Sequence, residues 1–267
     1  MYWCISYYDG DLTWLNDFSN GNYHVYLKDV QVPDGVDIDK TTTIENVGYN
    51  IYAYMKFIVD NYDNLPELTV FCKNNTFPRH VSKEIFADLT NRKVFTSIED
   101  VSRYKLNYPM SILSCDNGFM ELNTSWYTKH HPTKYFYDFY DFWKFIFNTT
   151  SCPRYVRFSP GANYVLPREN ILLRSKDFYI NLMNFVSHDQ FSGESHMVER
   201  ALFSIWSSSL KESDDMSRVI KSFDLNQMSK RVENKKTKKM KALVKRFLVV
   251  IYINLNKISG LLFSKFN

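Results

Sequence analysis

The stretch from Asn46 to Cys72 constrains this chain most. Asn46-Val47-Gly48 is a turn sequence, and after it Ile51, Tyr54, Met55, Ile58, Val59 and Tyr62 recur at i, i+3, i+4, i+7, i+8 and i+11. That spacing gathers them into one stripe of an amphipathic helix. Asn64-Leu65-Pro66 stops the helix, and Leu68-Thr69-Val70-Phe71-Cys72 follows as an uncharged run. So short and apolar a run reads as a strand buried on both faces. The N-terminus has the same grammar. Residues 2–8 read as a buried strand, Asp9-Gly10-Asp11 as a turn, residues 12–18 as a short helix and residues 23–27 as a second strand. Strand, helix, strand is how an α/β sheet opens.

The rest of the body fits one α/β domain over residues 1–210. Residues 41–45 form a short β-branched run, residues 81–89 a helix, and residues 111–113 a strand. The aromatic segment 134–147 reads as helical. Residues 156–167 read as strand and loop, and residues 175–186 and 195–206 as two more helices. With 267 residues, 45% of them hydrophobic, the chain buries a sizeable core, which excludes whole-chain disorder. Aromatics at 17% fit deep clefts or a sticky face.

The formal charge of +4 hides a division. Residues 230–267 hold 11 Lys and Arg against one acid, Glu233, a net +10, so residues 1–229 carry −6. An acidic body is a poor general surface for nucleic acid, and none is expected as a partner. Residues 211–235 read as a polar helical linker and residues 236–267 as a polybasic amphipathic tail. Residues 243–263 are apolar enough to suggest a membrane, and as a helix they would reach about 31 Å. Asn254, Asn256 and Lys257 would then sit near mid-membrane, where one Lys costs about 2.5–3.5 kcal/mol. Lying in the interface avoids that cost. Val244, Phe247, Leu248, Ile251, Leu255, Ile258 and Leu262 make one face, with Lys245, Arg246, Asn256 and Lys257 on the other. That pattern suits an anionic membrane surface; a nucleic-acid-binding tail or a partner-packing helix are the alternatives. Met1 runs straight into strand-like sequence, and the four cysteines have no zinc-ligand spacing, so the expected setting is the reducing cytoplasm, peripheral to the cell membrane.

In open α/β sheets ligands collect at the carboxyl ends of the strands, which makes Lys73-Asn74-Asn75 a site candidate from topology alone. His130-His131 reads as a surface pair and Asp116 as a turn residue.

Several of these segments together carry a resemblance. Asn46-Val47-Gly48 with Ala53-Tyr54, the run Asp60-Asn61-Tyr62-Asp63-Asn64-Leu65-Pro66, and Thr69-Val70-Phe71 resemble an uncharacterised fungal and bacterial family with the pattern N-V-G-R-E, Y-D-N-L-P and T-V-F. Residues 6–15, 163–169 and 198–206 are similar to further stretches of that family, so the match runs in order from about 5 to 206. The family is similar in turn to GT-A-type glycosyltransferases of bacterial polysaccharide synthesis. That resemblance implies a GT-A-like (Rossmann-type) fold. It also implies transfer of a sugar from a nucleotide-sugar donor to a lipid-linked or growing surface-glycan acceptor, as in capsule or O-antigen synthesis. A non-catalytic membrane scaffold that keeps a degenerate version of the fold is the alternative.

The implied roles fall on particular residues. Ser6, Tyr7, Tyr8 and Asp9 would meet the nucleotide, or else be core and turn residues. Asn46 and Gly48 would set a backbone turn against the donor, or else simply start a helix. Glu199 would be the catalytic base, or a buried partner of Arg200 or Arg168. The family's Arg-Glu after the glycine is Tyr49-Asn50 here, which removes two charges from the expected donor pocket. GT-A enzymes hold a divalent metal on Asp-x-Asp after the strand equivalent to 68–72, and no Asp-x-Asp stands there. Lys73, flanked by Asn74 and Asn75, would supply the positive charge instead, with Arg79 or His80, and weak or absent Mg or Mn dependence follows. Tyr164 and Arg168 would meet the acceptor or a phosphate.

Overall fold

The computed structural model describes residues 1–100, 102, 111–113 and 119–263. Asp116 lies outside the described residues. Mixed α/β structure is what the chain adopts. Strand β1 (Tyr2–Tyr7) leads through helix α1 (Trp14–Ser19) to β2 (Tyr23–Lys28) and β3 (Thr41–Ile44). Helix α2 (Tyr49–Asn61), strand β4 (Leu68–Lys73), helix α3 (Lys83–Asn91) and the two-residue β5 (Thr96–Ser97) follow. A small sheet comes from β6 (Ser111–Leu113), β7 (Phe119–Leu122) and, beyond helix α4 (Phe139–Ile146), β8 (Tyr155–Phe158). Strand β9 (Tyr164–Pro167) then returns to the main sheet, and helices α5 (Arg168–Ile171), α6 (Lys176–Val186), α7 (Gly193–Ser207) and α8 (Ser222–Phe263) complete the chain.

The main sheet runs β3-β2-β1-β4-β9-β5. Its first four strands are parallel, and β9 is antiparallel to both β4 and β5. Alternation along β1 shows why the strand is apolar at every position but Ser6. Trp3, Ile5 and Tyr7 pack with α1 and α3, while Cys4 faces the larger core with α2, α6 and α7. Both faces are covered, as a parallel sheet requires. The chain leaves β1 in one direction for β2 and β3 and in the other for β4, so the topological switch lies between β1 and β4.

Two expectations need correction, and one strand was not foreseen. The aromatic segment 134–147 is helical only over Phe139–Ile146, capped by Asp138, whose carboxylate accepts from the Asp141 N–H at 2.9 Å. Ahead of it, the N–H groups of Lys134 and Tyr135 each donate to the buried Glu194 carboxylate at 2.7 Å, and that of Phe136 at 3.3 Å, so they are not available to a helix. The small sheet was only partly legible: β7 has too few residues to carry a period. Residues 211–235 are not a free linker. Met216, Ile220, Met228 and Val232 are buried, the Asn181 amide donates to the Arg218 carbonyl at 2.6 Å, and the Ser175 N–H donates to the Glu212 carboxylate at 3.2 Å. The body therefore extends into the first turns of α8.

Gly48, the residue before α2, adopts φ +63° and carries a second constraint. A Cβ there would lie 2.8 Å from the Val186 methyl group of α6. Gly48→Ala is expected to cost about 1–3 kcal/mol. Urea unfolding checks it, with a lower midpoint and an unchanged m-value.

Candidate functional site

At the switch point the β1 and β4 loops are tied together: the Asn74 side-chain amide donates to the Asp9 carbonyl. Two clefts flank this tie along the carboxyl edge of the sheet. The first is an open cavity of about 670 Å³ between residues 7–13 and residues 30–34. Tyr8, 54% exposed, and Asp9 line it. Tyr7 lines it too, but its hydroxyl donates to the Gly10 carbonyl at 3.0 Å. Asp11 accepts from the Thr13 N–H at 2.8 Å, as a turn-capping carboxylate does. Ser6 is buried within β1, so its expected contact with a ligand is corrected.

The second cleft, about 410 Å³, opens between the main sheet and the small one. Lys73 comes from the end of β4, Asn50 and Ile51 from the start of α2, Gly161 from the β8–β9 loop, and His196, Glu199 and Arg200 from α7. Arg79 and Trp126 stand at its mouth, both exposed. Burial pushes the Lys73 ammonium down to about 8, helped by the Arg79 charge and opposed by Glu199 and Glu99.

Glu199 is held by three groups. Its carboxylate accepts the Gly161 N–H at 2.7 Å, and the Arg200 guanidinium and the His196 ring nitrogen lie 3.4 Å and 3.8 Å away. Burial raises its pKa, but hydrogen bonding from His196, the charges of Arg200 and His196 and the Gly161 N–H outweigh that, leaving it below the usual carboxylate value. Glu199 is thus an ionised carboxylate at neutral pH. Arg200, itself buried, forks onto Glu121 of β7 at 2.9 Å and 3.2 Å. Its guanidinium also lies 4.2 Å from the Tyr127 ring and 4.7 Å from that of Phe158. Of the two arginines expected beside Glu199, Arg200 is present and Arg168 is not.

The remaining expected residues divide. His80 is buried below the cleft, its Nδ1 3.1 Å from Glu99. A Cβ on Gly161 would lie 2.9 Å from both His80 Nε2 and Lys73 Nζ, so only glycine lets these two nitrogens converge there. Asn75 is exposed in the β4 loop. Tyr164 is a core residue and not a cleft residue. It is fully buried, its hydroxyl accepting the Ser159 N–H at 2.7 Å and its ring 5.4 Å from that of Trp206. Arg168 is corrected as well. The β4–β9 register pairs Pro167 with Leu68, which puts Arg168 at the end of the sheet opposite Lys73.

Asn46 and Gly48 do not offer a free backbone cradle. The Asn46 N–H donates to the Asp29 carboxylate at 2.8 Å and the Gly48 N–H to the Asp189 carbonyl at 2.9 Å. Lys28, buried at the end of β2, donates to the Val47 carbonyl at 2.5 Å and to that of Tyr49. Burial holds its ammonium down to about 7, with Asp29 pulling the other way. This turn is a structural staple, and sequence gave no sign that Lys28 closes it.

Sequence reasoning also missed Glu121, His196 and Glu99. His196 had a signal, since it stands at i−3 from Glu199 on one helix face. His131 is drawn in too, its ring 4.3 Å from that of His196. Among the described residues no helix is long and apolar enough to cross a membrane. Every large apolar side chain from Leu243 to Tyr252 is nonetheless at least 39% exposed.

No curated protein and no solved structure matches the chain. One family model does, and it spans the body and the start of α8 but stops short of the apolar end of the tail. Residues 5–243 match DUF3431, a protein family of unknown function, and the chain belongs to that family.

Proposed function

We propose that this protein is a glycosyltransferase of GT-A-like fold. It would move a sugar from a nucleotide-sugar donor to a lipid-linked or growing surface glycan at the cytoplasmic face of the cell membrane. The observation that carries this reading is the second cleft, where the Glu199 carboxylate and the Lys73 ammonium line one cavity beside the switch point. Glycosyl transfer needs that pairing of chemistry. A carboxylate takes the proton of the acceptor hydroxyl, and fixed positive charge stabilises the departing diphosphate. Lys73 and Arg79 are the cations for the diphosphate. The open cavity at Tyr8 and Asp9 has room for the nucleoside, and the exposed face of Trp126 suits stacking against a sugar ring.

Lys73 gives the reading a pH signature. A bound diphosphate holds the Lys73 proton, so Lys73 titrates higher in the complex than in the free protein. Affinity is therefore flat below about pH 8 and falls as pH rises through that value, by up to about tenfold per unit. Lys73→Met is expected to weaken binding and to flatten the profile, which calorimetric titration with a nucleoside diphosphate at several pH values checks.

The direct test is release of nucleoside diphosphate from a panel of nucleotide sugars. Release with at least one donor is expected, and it should persist with EDTA because Lys73 and Arg79 take the place of a metal. No release from any donor would leave the second reading, a membrane scaffold with a degenerate fold. What favours that reading is the occupied turn, since the Gly48 and Tyr49 N–H groups are already taken by the carbonyls of Asp189 and Gln190.

The tail is the proposed membrane address. Ending the chain after Met240 removes the exposed apolar run and leaves the buried residues of α8 in place. That truncation is expected to abolish flotation with anionic vesicles and to leave the melting temperature unchanged. Equal flotation by both forms would contradict the account.

A further inference from the structure

A third cavity, about 500 Å³, lies between α8 and the segment of residues 123–140. Three ammonium groups surround it: Lys129 at the end of the turn Trp126–Lys129, and Lys236 and Lys239 on α8. Lys236 and Lys239 stand at i and i+3, so both fall on the helix face that meets the body. That face is anchored. Lys235 pairs with Asp141, and Lys236 donates to the Thr133 carbonyl at 3.4 Å. Lys239 lies 5.2 Å from the Tyr137 ring centre, and its hydrogen bond to Tyr137 raises its pKa, so it stays charged. Hydroxyl groups of Ser125 and Tyr137 complete the polar wall, whereas that of Thr128 already donates to the Ser125 carbonyl at 2.8 Å. The single carboxylate present, Asp138, already accepts from the Asp141 N–H. The walls thus hold three cations and one acid.

We propose that this cavity binds the phosphomonoester headgroup of a membrane lipid; the proposal rests on the membrane reading of the tail. A phosphomonoester is a compact anion with several acceptor oxygens, which suits converging ammonium and hydroxyl donors. Position selects a lipid over a free phosphate ester. Along α8 from Lys239, the exposed apolar run begins four residues on, at Leu243, about 6 Å away. A headgroup held by Lys236 and Lys239 sets its acyl chains beside those side chains. The cavity would fix the depth and rotation of α8 on the membrane, and so aim the cleft at an anchored acceptor.

The test uses the full chain and vesicles of phosphatidic acid or phosphatidylserine, matched for surface charge. Soluble glycerophosphate is the third probe, read by thermal shift. The parent is expected to prefer phosphatidic acid and to be stabilised by glycerophosphate. Lys236→Gln with Lys239→Gln should lose about fivefold in phosphatidic acid binding per lysine, and lose the preference. Lys241→Gln with Lys245→Gln weakens binding to both lipids and keeps the preference. Equal binding to the two lipids by the parent overturns the cavity proposal and leaves the membrane reading standing. Stabilisation by glycerophosphate without vesicle binding overturns the lipid assignment together with the membrane reading.

Discussion

Under the proposed sugar transfer, Glu199→Gln is expected to lower the rate by about 10²–10⁴-fold and to leave nucleotide affinity and melting temperature close to those of the parent. Glutamine keeps an oxygen for the Gly161 N–H, which donates to Glu199 at 2.7 Å. It cannot take a proton from an acceptor hydroxyl. The loss should therefore fall on kcat, because the nucleotide is assigned to Lys73, Arg79 and the β1 loop. Position alone does not make Glu199 a base. Its depressed pKa makes it ionised but weakly basic, and Arg200 and His196 share its charge. Closure of the site around an acceptor would have to bring the hydroxyl to the carboxylate. A Gln variant with unchanged kcat would move the base elsewhere, and His80, buried just below the cleft and with no hydrogen-bond partner for Nε2 among the described residues, would be the next group to replace.

Glu121→Leu is expected to destabilise the protein by about 3–5 kcal/mol, the usual effect of removing one partner from a buried ion pair. Arg200 would keep Glu199 at 3.4 Å, the His196 carbonyl at 3.3 Å and the faces of Tyr127 and Phe158, but lose its bidentate partner. The uncompensated charge is the cause, so removing it should recover most of the loss. Glu121→Leu with Arg200→Met is expected to be more stable than Glu121→Leu alone, since apolar replacement of a whole buried pair is often neutral. Denaturant unfolding of the four proteins in the cycle measures this. A double variant no better than the single one would mean that Glu121 acts through packing of β7.

Sequence carried much of the frame because that frame is written in short-range pattern. The stripe Ile51 to Tyr62 became α2, and the uncharged run at 68–72 became β4, paired on both edges. Once those two elements are placed, the loop at Lys73 falls at the sheet's carboxyl edge by topology. The small sheet was less legible, because β7 is four residues long and one of its partners, β8, lies more than thirty residues further along the chain. Glu121 was hidden with it, and so was the ion pair that fixes Arg200. Tyr164 and Arg168 misled for a related reason. β9 runs antiparallel to β4, and no residue in that strand reveals its direction. Their neighbours matched a family stretch, yet one side chain points into the core and the other stands at the far end of the sheet. Gly48 reads from sequence as a donor-facing turn or a helix start, and in the fold it directly precedes α2 and makes room for Val186 of α6.

The tail divides similarly. Its charge and its apolar face were plain from composition, whereas the anchoring of residues 211–235 depends on Asn181 and Ser175, which lie more than thirty residues before their partners Arg218 and Glu212.

The central claim is that the edge of the sheet holds a sugar nucleotide through Lys73 and Glu199. A panel of nucleoside mono- and diphosphates and nucleotide sugars, scored by thermal shift with and without EDTA, tests it most directly. The account predicts a rise in melting temperature with at least one nucleoside diphosphate and its sugar conjugate, retained in EDTA and lost in Lys73→Met. No shift with any nucleotide, under either condition, would contradict it.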